Sequence, residues 1–161
     1  MLSIVIHSYE QNNPMNYDLT VFHSSMKCLW SRYLALFRYC PDVWIEYAEY
    51  ESEWNWEDSI SILKEGFEVM NNSCLFGLAC CDFYEKHGHL EEAERQYEIV
   101  VSTCDNAVGW IQYMYFSRRN KGMEVSRQIF RRGRLSVLSP SLFIAAGMFN
   151  SDSIKNSSFR I

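Results

Sequence analysis

The sequence predicts an all-α protein, an α-α superhelix (solenoid) of antiparallel helix pairs, on three observations. An aromatic-rich segment recurs: Trp44-Ile45-Glu46-Tyr47-Ala48-Glu49-Tyr50-Glu51 is echoed by Leu78-Ala79-Cys80-Cys81-Asp82-Phe83-Tyr84-Glu85 and by Trp110-Ile111-Gln112-Tyr113-Met114-Tyr115-Phe116-Ser117, at offsets of 34 and 32 residues. Periods of this size mark stacked repeats, each a supersecondary unit that buries its apolar face only against its neighbours. Within each copy the bulk falls at i, i+3, i+4 and i+6 or i+7, a helical stripe rather than the alternation of a strand. Each copy is followed by a short turn and a second stripe, so the two helices of a unit run antiparallel.

The elements follow in chain order. Residues 1–20 form an amino-terminal segment for which helix and loop both stay open. Ser24 to Tyr39, rich in Leu, Tyr, Phe and Trp, reads as the second helix of an earlier unit. Pro41 cannot continue that helix, and Asp42 is placed to cap the next. The first full unit then opens at Trp44, turns at Asn55 and continues through Leu63 to Phe67. The second opens at Leu78, turns at His87-Gly88-His89 and continues through Ala93 to Tyr97. The third opens at Trp110, turns at Asn120-Lys121-Gly122 and continues through Ser126 to Phe130. Gly and Asn in these turns suit the left-handed conformation that ends a helix. Pro140-Ser141 starts one more first helix, through Leu142, Phe143, Ile144 and Met148.

The repeat array thus spans residues 21–149: the second helix of one repeat, three full repeats and the first helix of another. Residues 150–161, rich in Ser and Asn, read as a flexible tail. A last first helix without its partner leaves Leu142, Phe143, Ile144 and Met148 partly exposed, which suggests a shortened form of a longer protein. The repeat core is expected to comprise Trp44, Tyr47, Tyr50 and Phe67, then Leu78, Tyr84, Ala93 and Tyr97, then Trp110, Tyr113, Phe116, Ser126 and Phe130.

Composition suits this architecture. Ten Tyr, ten Phe and five Trp make 16% of 161 residues that include only seven Gly and three Pro, as expected for long packed elements with short connections. The net charge of −5 argues against generic nucleic-acid binding, but it is unevenly distributed. Fifteen of the twenty acids lie between Asp42 and Glu98, whereas Arg118 to Arg134 holds seven bases against Glu124 alone. Cys28, Cys40, Cys74, Cys80, Cys81 and Cys104 show no repeated spacing and read as reduced thiols, which places the chain in cytosol or nucleus. No stretch approaches the roughly 18 apolar residues of a membrane helix.

Enzyme chemistry finds no foothold. There is no Gly-rich phosphate loop, no His-Glu-x-x-His and no Gly-x-Ser-x-Gly. His87 and His89 with Cys80 and Cys81 have zinc-ligand identities, but adjacent helical cysteines point about 100° apart and the histidines fall in a tight turn. They read as turn histidines and core thiols. No catalytic residue, cofactor, metal or small-molecule substrate is expected.

The first-helix signature of Trp, Tyr and Tyr/Phe-Glu resembles half-a-tetratricopeptide repeats, the helical repeats of RNA-processing scaffolds. The block Trp110 to Arg119, with Gly122 and Ser126-Arg127-Gln128-Ile129-Phe130-Arg131-Arg132, is similar to the suppressor-of-forked family, the large scaffold subunits of cleavage stimulation factor. Pro41 to Ala48 is similar to the same family, and so is Phe143-Ile144-Ala145-Ala146; together they cover about Ser24 to Met148. The resemblance implies a nuclear protein whose repeats form a dimerising arch in the full-length form. It also implies that the protein holds other subunits of the pre-mRNA cleavage and polyadenylation machinery. A repeat subunit of another RNA-processing assembly, in the spliceosome or in ribosome biogenesis, is the alternative.

One surface feature stands out. Arg127, Arg131 and Arg134 fall at i, i+4 and i+7 and form a stripe along one helix face, with Arg118, Arg119 and Lys121 just before it. The apolar arc of that helix, Val125, Ile129 and Phe130, faces elsewhere. The counter-charge favoured for these six cations is an acidic partner or the acidic repeats of the chain itself. Direct RNA binding through the Arg127/Arg131/Arg134 stripe is the alternative, and it would show a steep salt dependence.

Overall fold

The computed structural model describes residues 19–104 and 106–157, with side chains to residue 148. Among the described residues there are eight helices and no strand: α1 Leu19–Leu36, α2 Pro41–Ser52, α3 Trp56–Val69, α4 Cys74–Lys86, α5 Leu90–Thr103, α6 Ala107–Asn120, α7 Met123–Ser136 and α8 Pro140–Ser157. The closest packing is within the pairs α2/α3, α4/α5 and α6/α7. The first helices α2, α4, α6 and α8 touch one another in succession, while each second helix leans on the first helix that follows it. This is an all-α helical-repeat solenoid.

The turns account for the boundaries. Gly88 and Gly122 take φ of +78° and +93°, the positive-φ conformation open to a residue without a Cβ. Between α3 and α4 that conformation is adopted by Asn71 and Asn72 instead. Asn55 differs from the sequence expectation: its φ is −148°, and its side chain accepts from the Glu57 amide as the N-cap of α3. A short polar side chain serves either end of a helix, and here the orphan amides of α3 claim it. Asp42 is likewise not a cap. Cys40 holds the cap position of α2, Pro41 opens the helix, and Asp42 lies in its first turn, where a carboxylate favours the helix dipole.

Two further boundaries move. The helix expected over Ser24 to Tyr39 is α1, which begins at Leu19 and ends at Leu36. Residues 1–18 of the expected amino-terminal segment lie outside the described residues. At the other end α8 continues to Ser157, so most of the expected tail extends a helix instead. Ser, Asn and Asp are weak helix formers but not breakers, and no Pro follows Pro140 to stop the propagation.

The buried positions revise the repeat register. Buried or half-buried residues fall at 43, 44, 47, 48, 50 and 51 in α2, at 76, 77, 80, 81, 83 and 84 in α4, and at 109, 110, 113, 114, 116 and 117 in α6. The interval is 33 residues at every position. Trp44 and Trp110 are therefore matched by Gly77, and Leu78, expected at that place, is only half-buried. In the second helices Ser59, Ala93 and Ser126 are equivalent, as are Leu63, Tyr97 and Phe130, so Phe67 sits one turn beyond its expected register.

Volume matching explains the substitution of Gly77 for Trp. In the first unit a Cβ at Gly66 would lie 2.8 Å from the Trp44 ring, and in the third a Cβ at Gly133 would lie 3.1 Å from the Trp110 ring. The middle unit inverts the arrangement. A Cβ at Gly77 would lie 2.6 Å from Val100, which occupies the position of Gly66 and Gly133. What repeats is a large residue against a small one across the helix pair, whichever helix supplies the bulk. A hydrogen bond repeats as well: Ser59 Oγ donates to the Ala48 carbonyl at 2.8 Å, and Ser126 Oγ to the equivalent Met114 carbonyl at 3.1 Å.

Of the remaining core positions, Tyr84, Ala93, Tyr97, Tyr113 and Phe116 are buried, while Tyr47, Tyr50 and Phe130 are half-buried. Tyr97 stacks on Tyr113 with ring centroids 5.2 Å apart, and Tyr47 stacks on Trp30 of α1 at 5.2 Å. Such contacts add roughly 0.5–1.5 kcal/mol beyond area burial.

Candidate functional site

Three groups of side chains have chemistry beyond packing. The first joins α1 to the array. Glu51 lies on the apolar stripe of α2 and is 0% exposed. His23 Nε2 of α1 sits 3.1 and 3.0 Å from its two carboxylate oxygens, and Lys27 Nζ lies 3.5 Å away. Lys27 also donates to Asp58 at 2.7 Å. That hydrogen bond, opposed by partial desolvation, raises the Lys27 pKa above its ordinary value. His23 stacks on Trp54 at 4.4 Å. A buried carboxylate is tolerated only when its oxygens are satisfied, and here α1 satisfies them. Glu51 is not among the expected core residues, although its position seven residues beyond Trp44 places it on the inward face.

The second group is a ladder of ion pairs between successive units. Lys86 donates to Glu49 at 2.6 Å. Arg119 grips Glu85 with two hydrogen bonds of 3.0 and 2.7 Å, and Arg132 grips Glu98 with two of 2.7 and 2.6 Å. Lys121 donates to Glu94. The Tyr113 hydroxyl donates to Glu98 at 2.8 Å. The Arg119 and Arg132 guanidinium groups hold Glu85 and Glu98 below the usual carboxylate range. Burial, then the Glu98 carboxylate, pushes the Tyr113 hydroxyl well up. Arg132 also lies over the Trp110 ring, its guanidinium carbon 5.6 Å from the centroid. Of the six cations singled out in the sequence, Arg119 and Lys121 belong to this ladder. Arg132, outside those six, stands 34 residues after Glu98, close to one repeat period.

The third group is the arginine stripe. Arg127 approaches Glu124 on its own helix at 3.6 Å, a weak exposed pair. Arg131 and Arg134 are exposed and have no carboxylate partner among the described residues. Arg118, half-buried at the end of α6, makes other contacts. The three stripe arginines wall a cleft of about 260 Å³ floored by Met114, Met123, Phe130 and Ala146. The flank of α8 beside it presents Phe143, Ile144 and Met148, 47%, 60% and 58% exposed.

Cys80, Cys81, His87 and His89 are occupied in packing. Burial pushes the Cys80 thiol up to about 12 and Cys81 further, the reverse of what a nucleophile or a metal ligand needs. His89 stacks on Trp56 with centroids 3.7 Å apart, and His87 lies 4.4 Å from Phe83. Among the described residues no three His, Cys, Asp or Glu side chains converge as a metal site would require, and no helix is long and apolar enough to cross a membrane.

Comparison with known proteins places this geometry. Residues 5–161 match the model of the suppressor of forked protein family. Cleavage stimulation factor subunit 77 of Arabidopsis thaliana is 28% identical over 135 residues, which cover 80% of this chain and 18% of that protein. Protein suppressor of forked of Drosophila melanogaster is 31% identical over 83 residues, 50% of this chain and 11% of that protein. The chain spans less than a fifth of the length of these relatives.

Proposed function

Because the chain belongs to the suppressor of forked family, we propose that it is a non-catalytic helical-repeat scaffold of pre-mRNA 3′-end cleavage and polyadenylation, acting in the nucleus by holding other subunits of that machinery. The family match over residues 5–161 carries this reading. The physical arrangement supports it. Aromatic groups are spent on stacking, core thiols are held protonated, and most of the basic groups at the unit boundaries are neutralised by acids of the preceding unit. What remains for recognition is shape and the exposed charge of Arg131 and Arg134 on α7.

The test is affinity capture from nuclear extract with the full chain as bait. Recovery of cleavage and polyadenylation subunits is the expected result. Recovery of spliceosomal or ribosome-assembly proteins in their place refutes the assignment while leaving the scaffold architecture intact.

A further inference from the structure

The open end of the second helix pair carries one thiol on each helix. Cys74 is the first residue of α4, and Cys104 follows the last residue of α5. One contact fixes the register of these antiparallel helices: a Cβ at Gly77 would lie 2.6 Å from Val100. Both helices stay regular out to the cysteines, since the Gly77 amide donates to the Ser73 carbonyl at 2.8 Å and the Cys104 amide to the Val100 carbonyl at 2.9 Å. One turn beyond Gly77 and Val100, Cys74 therefore stands opposite Cys104. Gly77 next to the couple lets the two backbones approach, as a disulfide requires, its Cα atoms lying within about 7 Å.

The same register holds in the neighbouring units. The equivalent couples are Pro41 with Asn71 and Ala107 with Val137, and the last two both pack into the core. Only the middle unit has cysteine at both places. Asn106 closes the site from the start of α6: its Oδ1 accepts from the Gly109 amide, and its Nδ2 donates to Cys74 Sγ at 3.3 Å. Burial, then a hydrogen bond with the Cys74 thiol, holds the Cys104 thiol above its ordinary range. Both thiols are half-exposed, unlike Cys80 and Cys81, so a small reagent reaches them.

We propose that Cys74 and Cys104 form a redox couple, reduced in the resting chain and closed to an intramolecular disulfide by a low-molecular-weight disulfide such as oxidised glutathione, which staples the start of α4 to the end of α5. The proposal goes beyond the scaffold reading and does not depend on it. Cys104 holds its proton too firmly to open the reaction, so Cys74 reacts first. Its thiolate attacks one sulfur of the reagent, the S–S bond of the reagent breaks, and one glutathione leaves with the proton that Cys74 gave up. Cys104 then loses its proton and attacks Cys74 Sγ, releasing the second glutathione. Two protein thiols are oxidised by two electrons, and one disulfide is reduced to two thiols.

The test holds the full chain in glutathione buffers of rising oxidised-to-reduced ratio, blocks the remaining thiols with iodoacetamide and maps a digest by mass spectrometry. The expected product is a peptide pair joined through Cys74 and Cys104 and lighter by two hydrogens, with the exposed Cys28 recovered as a blocked thiol or a glutathione adduct. The oxidised chain should melt about 5–10 °C above the reduced one. In Cys104→Ser the reaction should stop at a glutathione adduct on Cys74, without the melting shift. In Cys74→Ser the adduct on Cys104 should form about tenfold more slowly than that one.

Absence of the Cys74–Cys104 link under conditions that already modify Cys28 overturns the proposal. A link that forms only in denaturant, a mixture of links through Cys80 or Cys81, or a link that lowers the melting temperature overturns it as well. Each of these means that the fold does not hold the two sulfurs in bonding register.

Discussion

Gly77→Ala tests the volume-matching account directly. Helix propensity alone predicts stabilisation of about 1 kcal/mol, since Gly77 lies in the interior of α4. Packing predicts the opposite. The new methyl would lie 2.6 Å from Val100 Cγ2 and 2.9 Å from the Phe67 ring. Val100 is 0% exposed and β-branched, so it cannot swing aside within a helix. Overpacking of this kind costs about 1–3 kcal/mol, leaving a net loss of up to about 2 kcal/mol after the propensity gain. Val100→Ala alone removes two buried methyl groups and costs about 2 kcal/mol. In the double variant the methyl added at position 77 fills part of the space that Val100 vacates, so the two losses should fall short of their sum by about 1–2 kcal/mol. Guanidinium unfolding followed by helical circular dichroism, with the m-value checked for constancy, measures each corner of the cycle. A Gly77→Ala protein more stable than its parent, or losses that add within about 0.5 kcal/mol, would refute the pairing of Gly77 with Val100.

Other consequences can be measured with the same preparations. Glu51→Ala removes the acceptor of His23 and Lys27 and should weaken α1 by about 2 kcal/mol, seen as roughly thirtyfold faster amide exchange confined to residues 19–36; uniform acceleration through α4 and α6 would argue against a local clasp. Ser59→Ala and Ser126→Ala should each cost about 1 kcal/mol through loss of the same interhelical hydrogen bond, whereas the equivalent Ala93→Ser should give no matching gain. Acid should loosen the unit boundaries. Glu85 and Glu98 have folded-state pKa values below their ordinary 4.5. Their contribution is therefore complete above the unfolded carboxylate value and is lost as pH falls through the lower folded values. Melting temperatures recorded from pH 7 to pH 3 should fall less steeply for the Glu85→Gln, Glu98→Gln double variant than for the parent.

The helical periodicity, the pairing of helices and most turn positions were legible because each depends on residues close in sequence. Trp44 and Trp110 announced their units through bulk alone. The register failed at Leu78 for a physical reason. A search for similar side chains aligns Leu78 with the tryptophans, whereas packing sets a glycine on one helix against a bulkier residue on the other, Gly77 with Val100 or Gly133 with Trp110. No single helix records that match. Phe67 was displaced by one turn for the same reason, since its aromatic character matched Tyr97 while its place in the stack matches Val101. The charged surface was half legible. The stripe of Arg127, Arg131 and Arg134 follows from helical spacing, but which cations are already neutralised depends on the acids one repeat earlier, as Arg119 with Glu85 and Arg132 with Glu98 show.

The inversion of large and small residues bears on how such arrays change over generations. Trp44 meets Gly66, Gly77 meets Val100, and Trp110 meets Gly133, each within one helix pair. The pair is thus the cassette that can be duplicated, deleted or exchanged with its internal fit intact. A junction placed between α3 and α4 keeps every such couple together. One placed inside a pair can set Trp44 against Val100 or leave Gly77 facing Gly133, a clash in one chimera and a void in the other. Lengthening or shortening a scaffold of this kind therefore proceeds in steps of 33 or 34 residues, with breakpoints in the turns that separate one pair from the next.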